Sequence, residues 1–100
     1  MKKIEAIVRQ EKFEEVYKVL EKSGLGGITV TEAKGCGNHR NGLKEKMKIE
    51  IYVDEFQVDK AVDLIRRAAK TGASGDGKIA VLPLEHLYRI RTGEEGAGAV

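Results

Sequence analysis

The sequence of 100 residues is poor in the residue types that mark several classes of protein. It has no Trp, one Pro, a single Cys and only 5% aromatic residues. The lone Cys36 cannot form an internal disulfide, and few aromatic side chains are present on which nucleic-acid bases could stack. No apolar run approaches the ~18 residues that a membrane-spanning helix needs. These shortages exclude a disulfide scaffold and a helical membrane protein, and they argue against nucleic-acid binding.

The charges are balanced and interspersed. Lys and Arg together number 18 against 16 for Asp and Glu, so the net charge is only +2, which does not call for a nucleic acid or a membrane surface as partner. The start, MKKIE, has an acidic residue where a signal peptide would be apolar, so we predict a cytoplasmic protein. A single domain over residues 1–100 has a thin core, which favours oligomerisation.

Apolar periodicity predicts the element order β-α-β-β-α-β. Strands are predicted over residues 3–9, 27–34, 47–53 and 78–82, helices over 13–20 and 58–69, and a last short strand over 88–91. Gly24 and Gly72 follow the helices as stop signals. This order predicts an α+β, ferredoxin-like fold, in which both helices cover one face of an antiparallel sheet. The other face is semi-polar, and other subunits could cover it.

The sequence is rich in glycine: the 12 glycines fall in clusters, and one cluster lies in the segment 71–78, TGASGDGK, here called the glycine loop. It has the letters G-x-x-x-x-G-K, whose N–H groups and Lys hold phosphate in P-loops. However, Ile79 takes the place of the Mg²⁺-binding Ser or Thr, and the segment runs from a helix into a strand. The loop therefore predicts phosphate binding without a hydrolase context, although a plain turn after a helix explains the spacing as well.

A second candidate for anion binding is the pair Arg89 and Arg91. At positions i and i+2 of a strand, two guanidinium groups project to the same face and can close on one anion. An exposed edge strand with solvated charges is the alternative. The pair and the glycine loop together favour an anionic ligand, and the phosphates of a nucleotide are the simplest candidate.

The segment around Cys36 offers little catalytic chemistry. Gly35 and Gly37 flank this residue and allow a ligand to approach the backbone, although a turn at a strand end explains them nearly as well. Cys36 and His39 could share a metal ion, but two ligands do not make a zinc site, so none is predicted. Neither Cys36 nor Ser74 has an evident His or Asp partner for nucleophilic catalysis. We therefore predict that the protein is not an enzyme.

Five segments, in this order, resemble the PII nitrogen-regulatory signal-transduction proteins: residues 1–9, 28–37, 48–51, 71–79 and 89–94. The resemblance covers nearly the whole chain. It implies a ferredoxin-like subunit in a homotrimer, with ATP or ADP bound in clefts between neighbouring subunits. Occupancy by one or the other nucleotide would bias a loop that partner proteins read.

The resemblance also implies which residues bind the nucleotide. The phosphates would contact Gly75, Asp76, Gly77 and Lys78, together with Arg89 and Arg91 of the adjoining subunit. Gly35 and Gly37 would lie beside the nucleotide, and the adenine and ribose would be surrounded by Ile7, Thr29, Glu50 and Tyr52.

The chain departs from the family in the signalling loop. Typical members carry a long mobile loop with a Tyr that some bacteria uridylylate, whereas here only residues 38–46 join the two strands, with no Tyr or Ser. Asn38 and His39 stand where the family has an Arg-Gln pair that helps to hold Mg²⁺ and 2-oxoglutarate, while Lys46 matches a family Lys that contacts that ligand. These differences argue against uridylylation and channel plugging, and they leave Mg²⁺ and 2-oxoglutarate as open questions.

Three functions are compatible with these features. The favoured one is a nucleotide-binding regulator in nitrogen metabolism, or in related carbon or energy regulation, that acts on an unidentified enzyme or transporter. The second is a weak ATPase that uses residues 72–78. The third is a structural trimer whose glycine segments, including the C-terminal segment 89–100, are only turns.

Overall fold

The elements of the protein follow the predicted order. The computed structural model describes residues 1–38 and 42–100. The strands are β1 (Lys2–Arg9), β2 (Ile28–Gly35), β3 (Lys44–Val53) and β4 (Lys78–Pro83), and the helices are α1 (Phe13–Glu21) and α2 (Val58–Ala69). Short 3₁₀ turns cover Gln10–Lys12, Glu55–Gln57 and Gly96–Ala99.

Local backbone features mark the end of α1 and the approach to α2. After α1 the chain reaches Gly24, whose φ of 78° is a left-handed conformation that glycine adopts without strain. Before α2, the Asp54 N–H donates to Gln57 Oε1 at 3.0 Å, which satisfies one backbone donor at the start of the helical segment. Within the described residues, neither helix is long and apolar enough to cross a membrane.

The four strands form one antiparallel sheet in the order β2-β3-β1-β4. Both crossover connections, through α1 and through α2, place a helix between strands that are not neighbours in the sheet. In the register of the central strands, Ile4 lies opposite Ile51, and Ile28 lies opposite Ile51 on the other side. The α+β, ferredoxin-like fold class is confirmed.

The core lies between the two helices and one face of the sheet. Alternate residues of the central strands point into it because side chains alternate between the faces of a strand. Helical residues one turn apart complete it from the other side. The buried set is Ile4, Ala6, Val8, Val16, Leu20, Ile49, Ile51, Val53, Ala61, Ile65 and Ala69. The helices therefore cover a single face, as predicted.

The opposite face of the sheet, here called the open face, carries charges in a connected network. Lys3 Nζ lies 2.7 Å from Glu50 Oε2 and 3.5 Å from Glu5 Oε1, and Lys48 Nζ lies 3.3 Å from the same Glu5 oxygen. The hydrogen bond from Lys3 lowers the pKa of Glu50 below its ordinary value. The open face is thus polar but internally neutralised.

The predicted strand over Tyr88–Arg91 is wrong. Tyr88 forms only an isolated bridge with Glu95, and the next residues turn back on themselves. The Arg89 N–H donates to Glu94 O and the Gly93 N–H donates to Arg89 O, both at 2.8 Å. These local bonds occupy the backbone groups that a sheet edge would use, so the fold has four strands rather than five within the described residues.

β3 begins earlier than predicted, at Lys44 instead of Met47. Its first residues pair with the end of β2, where Lys44 lies opposite Gly35 and Lys46 opposite Ala33. The far end of the predicted loop 38–46 therefore belongs to the sheet, and Lys46 lies on a strand. Of the residues before it, His39 lies outside the described part of the chain.

The buried face predicts the cost of truncating a core residue. Leu20 is 2% exposed and Leu43 is 69% exposed, so the same Leu→Ala change removes core packing at one position only. We expect Leu20→Ala to lower the free energy of unfolding by about 2–5 kcal/mol. Leu43→Ala should change it by no more than about 0.5 kcal/mol. Urea denaturation at one protein concentration measures both, and equal losses would contradict the assigned core.

Candidate functional site

The glycine loop is organised around the carboxylate of Asp76. The N–H groups of Thr71 and Gly72 donate to Oδ2 at 2.9 and 2.8 Å, and the Thr71 hydroxyl donates to Oδ1. Arg9 Nε, on β1, donates to the same Oδ1 at 3.0 Å. These donors, with the Thr71 hydroxyl foremost, hold the pKa of Asp76 well below its ordinary range. Asp76 is therefore ionised and already surrounded by donors from within the chain.

Two cationic side chains tie the loop to the sheet. The Arg9 Nη2 donates to Ser74 O at 2.6 Å, and Lys46 Nζ donates to Gly75 O at 2.7 Å. Both cations lie at the same end of the open face, because Arg9 of β1 pairs directly with Lys46 of β3. The loop thus lies across this end of the sheet.

Gly77 fits closely against the backbone of β1. Its φ is 98°, and a Cβ atom at this position would lie 1.7 Å from the Ile7 carbonyl oxygen. Any larger residue would displace the loop or the strand. The absence of a side chain at Gly77 therefore lets the loop enter β4 at the position where Lys78 pairs with Ile7.

A cleft of about 460 Å³ opens between the glycine loop, the end of β2 and the start of β3. It is lined by nine of the predicted site residues: Ile7, Gly35, Gly37, Asn38, Lys46, Gly75, Asp76, Gly77 and Lys78. Cys36, Ala73 and Ser74 complete the lining. The volume is that of a small-molecule site.

The electrostatics of the cleft favour an anion. Lys46 and Lys78 both line it, and Lys78 forms no salt bridge within the described part of the chain. The one carboxylate in the lining, Asp76, is compensated by the guanidinium of Arg9. The cleft therefore combines a net positive charge with a glycine-rich backbone that a ligand can approach closely.

A second hollow, of about 450 Å³, lies on the other side of Gly77 and Lys78. Its lining is mostly apolar, comes from α2 and the adjoining strands, and includes Arg66 and Lys70. The two hollows share only the residues Ile7, Asp76, Gly77 and Lys78. The entry into β4 therefore lies between the cleft lined by the glycine loop and a hollow with a more apolar lining.

Three of the predicted nucleotide-binding residues lie on the open face, outside the cleft. Thr29 and Glu50 are direct partners across β2 and β3, and Tyr52 is two residues further along β3 and 40% exposed. Glu50 and Lys46 are four residues apart on β3, which corresponds to about 13 Å along a strand. Within the chain these three residues do not line the cleft beside the glycine loop.

Arg89 and Arg91, the two arginines predicted to bind an anion, lie in the segment of turns that follows β4. Arg89 Nη2 donates to Val100 O at 3.3 Å, and Arg91 is exposed. Because this segment is a turn, the i and i+2 geometry of a strand does not apply to the pair. Neither arginine lines either hollow, as far as residues 1–38 and 42–100 describe them.

Sequence reasoning missed the role of Arg9. It appeared only as the last residue of a predicted strand, and its partner Asp76 lies 67 residues further along the chain. A single sequence carries no local pattern that joins positions so far apart. Thr71 belonged to the predicted loop, but the hydrogen bond from its hydroxyl to Asp76 also became visible only in the structure.

The fold and the cleft define a ferredoxin-like protein with a cationic, glycine-lined site. Residues 1–94 match the family described as Nitrogen regulatory protein P-II. Proteins with that name from Bradyrhizobium diazoefficiens, Azospirillum brasilense and Synechocystis are 47%, 44% and 43% identical to this chain, each over the full length of both chains. The chain belongs to the P-II family of nitrogen regulatory proteins.

The same alignments show that this chain is shorter than its relatives. Each alignment runs over 112 residues, whereas this chain has 100. The relatives therefore contain residues that have no counterpart here. The resemblance predicts that the difference falls in the segment that joins β2 to β3.

The close fit of Gly77 predicts that an added Cβ atom would clash with β1, whereas one added at the nearby Gly72 would not. Gly72 also has a positive φ, of 88°, but a Cβ atom there would meet no atom within 4 Å. Gly72→Ala should cost about 1–2 kcal/mol of unfolding free energy through backbone strain alone. Gly77→Ala should lower the free energy of unfolding by about 1–3 kcal/mol more than Gly72→Ala does, because the backbone must also move to make room for the Cβ atom. Equal losses in urea denaturation would contradict the close packing at Ile7.

The depressed pKa of Asp76 predicts a pH-dependent contribution to stability. Below about pH 5 the unfolded chain takes up a proton at this carboxyl more readily than the folded chain, so the free energy of unfolding falls with pH. Asp76→Asn removes this contribution. We expect the stability difference between wild type and Asp76→Asn to be largest at neutral pH and to shrink steadily towards pH 2. Denaturation at a series of pH values measures the difference, and a constant difference would refute this role.

Proposed function

We propose that this protein is a PII-type signal-transduction protein that binds ATP or ADP at the cleft beside the glycine loop. The observation that carries the proposal is the convergence of Lys46, Lys78 and the loop backbone on one cleft of about 460 Å³. Phosphates are bound elsewhere by the same means, namely backbone N–H groups in a concave loop and a lysine ammonium. The names of the relatives support a role in nitrogen regulation.

The proposed site includes residues of a second subunit in a homotrimer. In one protomer, Arg89 and Arg91 lie away from the cleft that the glycine loop lines. The same holds for Thr29, Glu50 and Tyr52 on the open face. We place the arginines at the phosphates, and the open-face residues near the adenine and ribose, in a cleft that two subunits form together. Association of three chains would also cover the open face.

The signal would pass from the cleft to the segment between β2 and β3. Gly35, Cys36, Gly37 and Asn38 line the cleft and lead directly into that segment. A ligand that contacts them with different affinity in two conformations shifts the equilibrium between those conformations. ATP and ADP differ by one phosphate, so Lys46 and Lys78 would face a ligand of different negative charge in the two cases. A regulated enzyme or transporter in the cytoplasm would bind one of these conformations in preference to the other.

In this proposal the nucleotide is a ligand and not a substrate. Ile79, which follows Lys78 on β4, is half-buried against the core and has no hydroxyl for a Mg²⁺ ion. The relatives are named as regulatory proteins. Both observations favour nucleotide sensing over ATP hydrolysis at the glycine loop.

Titration calorimetry with ATP, ADP and AMP tests the proposal. We expect heat from at least one adenine nucleotide, and Lys78→Ala and Arg89→Ala should each weaken binding by about 1.5–3 kcal/mol because each removes a charge-assisted bond to phosphate. The control is Lys18→Ala, which removes an exposed ammonium from α1 and should leave the affinity unchanged. The absence of heat with all three nucleotides would refute the proposal, and unaffected variants would move the site elsewhere.

A further inference from the structure

Arg9 and Lys46 form a pair of like charges beneath the glycine loop. They are direct partners across β1 and β3, where Cβ atoms lie about 4.5–5.5 Å apart. Two cations in this arrangement repel one another unless acceptors lie nearby. The loop provides these acceptors, since Asp76 and the Ser74 carbonyl bind Arg9 while the Gly75 carbonyl binds Lys46. Docking of the loop therefore relieves a repulsion that is built into the sheet.

The loop needs such contacts to keep one shape. Gly72, Gly75 and Gly77 all have positive φ values, between 88° and 99°. Glycine loses more conformational entropy on ordering than any other residue, so a segment with three of them is costly to hold in one conformation. Asp76 orders the start of the loop by accepting hydrogen bonds from the N–H groups of Thr71 and Gly72, but these bonds are internal to the loop. Its position on the sheet depends on contacts from outside.

Arg9 makes two of these outside contacts with one rigid group. Its Nε binds the Asp76 carboxylate at 3.0 Å, and its Nη2 binds the Ser74 carbonyl at 2.6 Å. The planar guanidinium fixes the angle between the two bonds, which a lysine ammonium on a flexible chain cannot do. The loop is thereby held on either side of Gly75.

Arg9 acts from behind the loop and not from within the cleft. Its remaining nitrogen, Nη1, lies 3.6 Å from Glu11 Oε1, so all three nitrogens face protein acceptors. It does not line the cleft of about 460 Å³, as the described residues define it, whereas the loop residues that it holds do. A ligand in the cleft would thus contact Ser74, Gly75 and Asp76 but not the guanidinium.

We infer that Arg9 is a positioning residue for the nucleotide site: by holding Asp76 and Ser74 against the sheet, it keeps the glycine loop in the shape that receives the phosphates of a nucleoside di- or triphosphate. This role rests on the proposed function. The apparent dissociation constant rises by the reciprocal of the fraction of molecules whose loop is correctly shaped. Loss of Arg9 that leaves a tenth of the loops in place would weaken ATP binding about tenfold.

Two substitutions separate positioning from simple charge. Arg9→Gln removes the charge and the planar guanidinium group. Arg9→Lys keeps the charge, but its single ammonium can reach only one of the two acceptors, Asp76 or Ser74 O. The control is Arg67→Gln, because Arg67 Nε also lies 3.0 Å from an aspartate Oδ1, that of Asp63, on the exposed side of α2. By calorimetry with ATP, we expect about tenfold weaker binding for both Arg9 variants and no change for Arg67→Gln. Wild-type affinity in Arg9→Lys would show that charge alone suffices and would overturn the positioning role.

A second measurement needs no nucleotide. Amide hydrogen exchange followed by NMR reports on the Thr71 and Gly72 N–H groups, which donate to Asp76. Arg9 holds the same carboxylate, so in the nucleotide-free protein Arg9→Gln should free Asp76 to move and speed the exchange of both N–H groups, while Arg67→Gln should not. Unchanged exchange in a folded Arg9→Gln variant would overturn the role of Arg9. Failure of the wild type to bind any adenine nucleotide would instead refute the proposed function, and the exchange test would still decide whether Arg9 orders the loop.

Discussion

The helices cover only one face of the sheet, and this one-sided burial determines where the other residues can act. Alternation along β1 sends Ile4, Ala6 and Val8 into the core and leaves Arg9 on the open face. The same alternation along β3 buries Ile49 and leaves Lys46 exposed to the glycine loop. The residues that hold the loop are therefore available because the other face supplies the hydrophobic stabilisation. A second layer of helices on the open face would leave no room for the glycine loop beside these cations.

The open face carries charge without a large excess of either sign. Lys3, Glu5, Lys48 and Glu50 contact one another in its middle, so their charges are matched locally. At the end near the loop the balance changes, because Arg9 and Lys46 face each other and need acceptors from elsewhere. The loop satisfies them and leaves Lys78 at the cleft. The positive charge of this mostly neutral face is thus concentrated at the end beside the cleft.

Much of the fold could be predicted because it follows from local periodicity. The apolar alternation of β1 and the helical stripe of α2 both identified residues that the structure buries. Two predictions failed where no such pattern exists. The start of β3 is charged, so Lys44 to Lys46 gave no sign of a strand, and the turn after Tyr88 is set by local backbone bonds that β propensity does not describe.

The sequence by itself determined the element order, the buried face and the family, because these depend on patterns within short segments and on motifs in a constant order. Nine predicted site residues also proved to line one cleft. Only the tertiary structure decided how the glycine loop is held. The resemblance implies only that Asp76 belongs to the phosphate-holding loop, and the structure shows that its oxygens accept hydrogen bonds from Thr71, Gly72 and Arg9. The reason is physical: a hydrogen bond between residues 67 positions apart exists only after the sheet has brought them together.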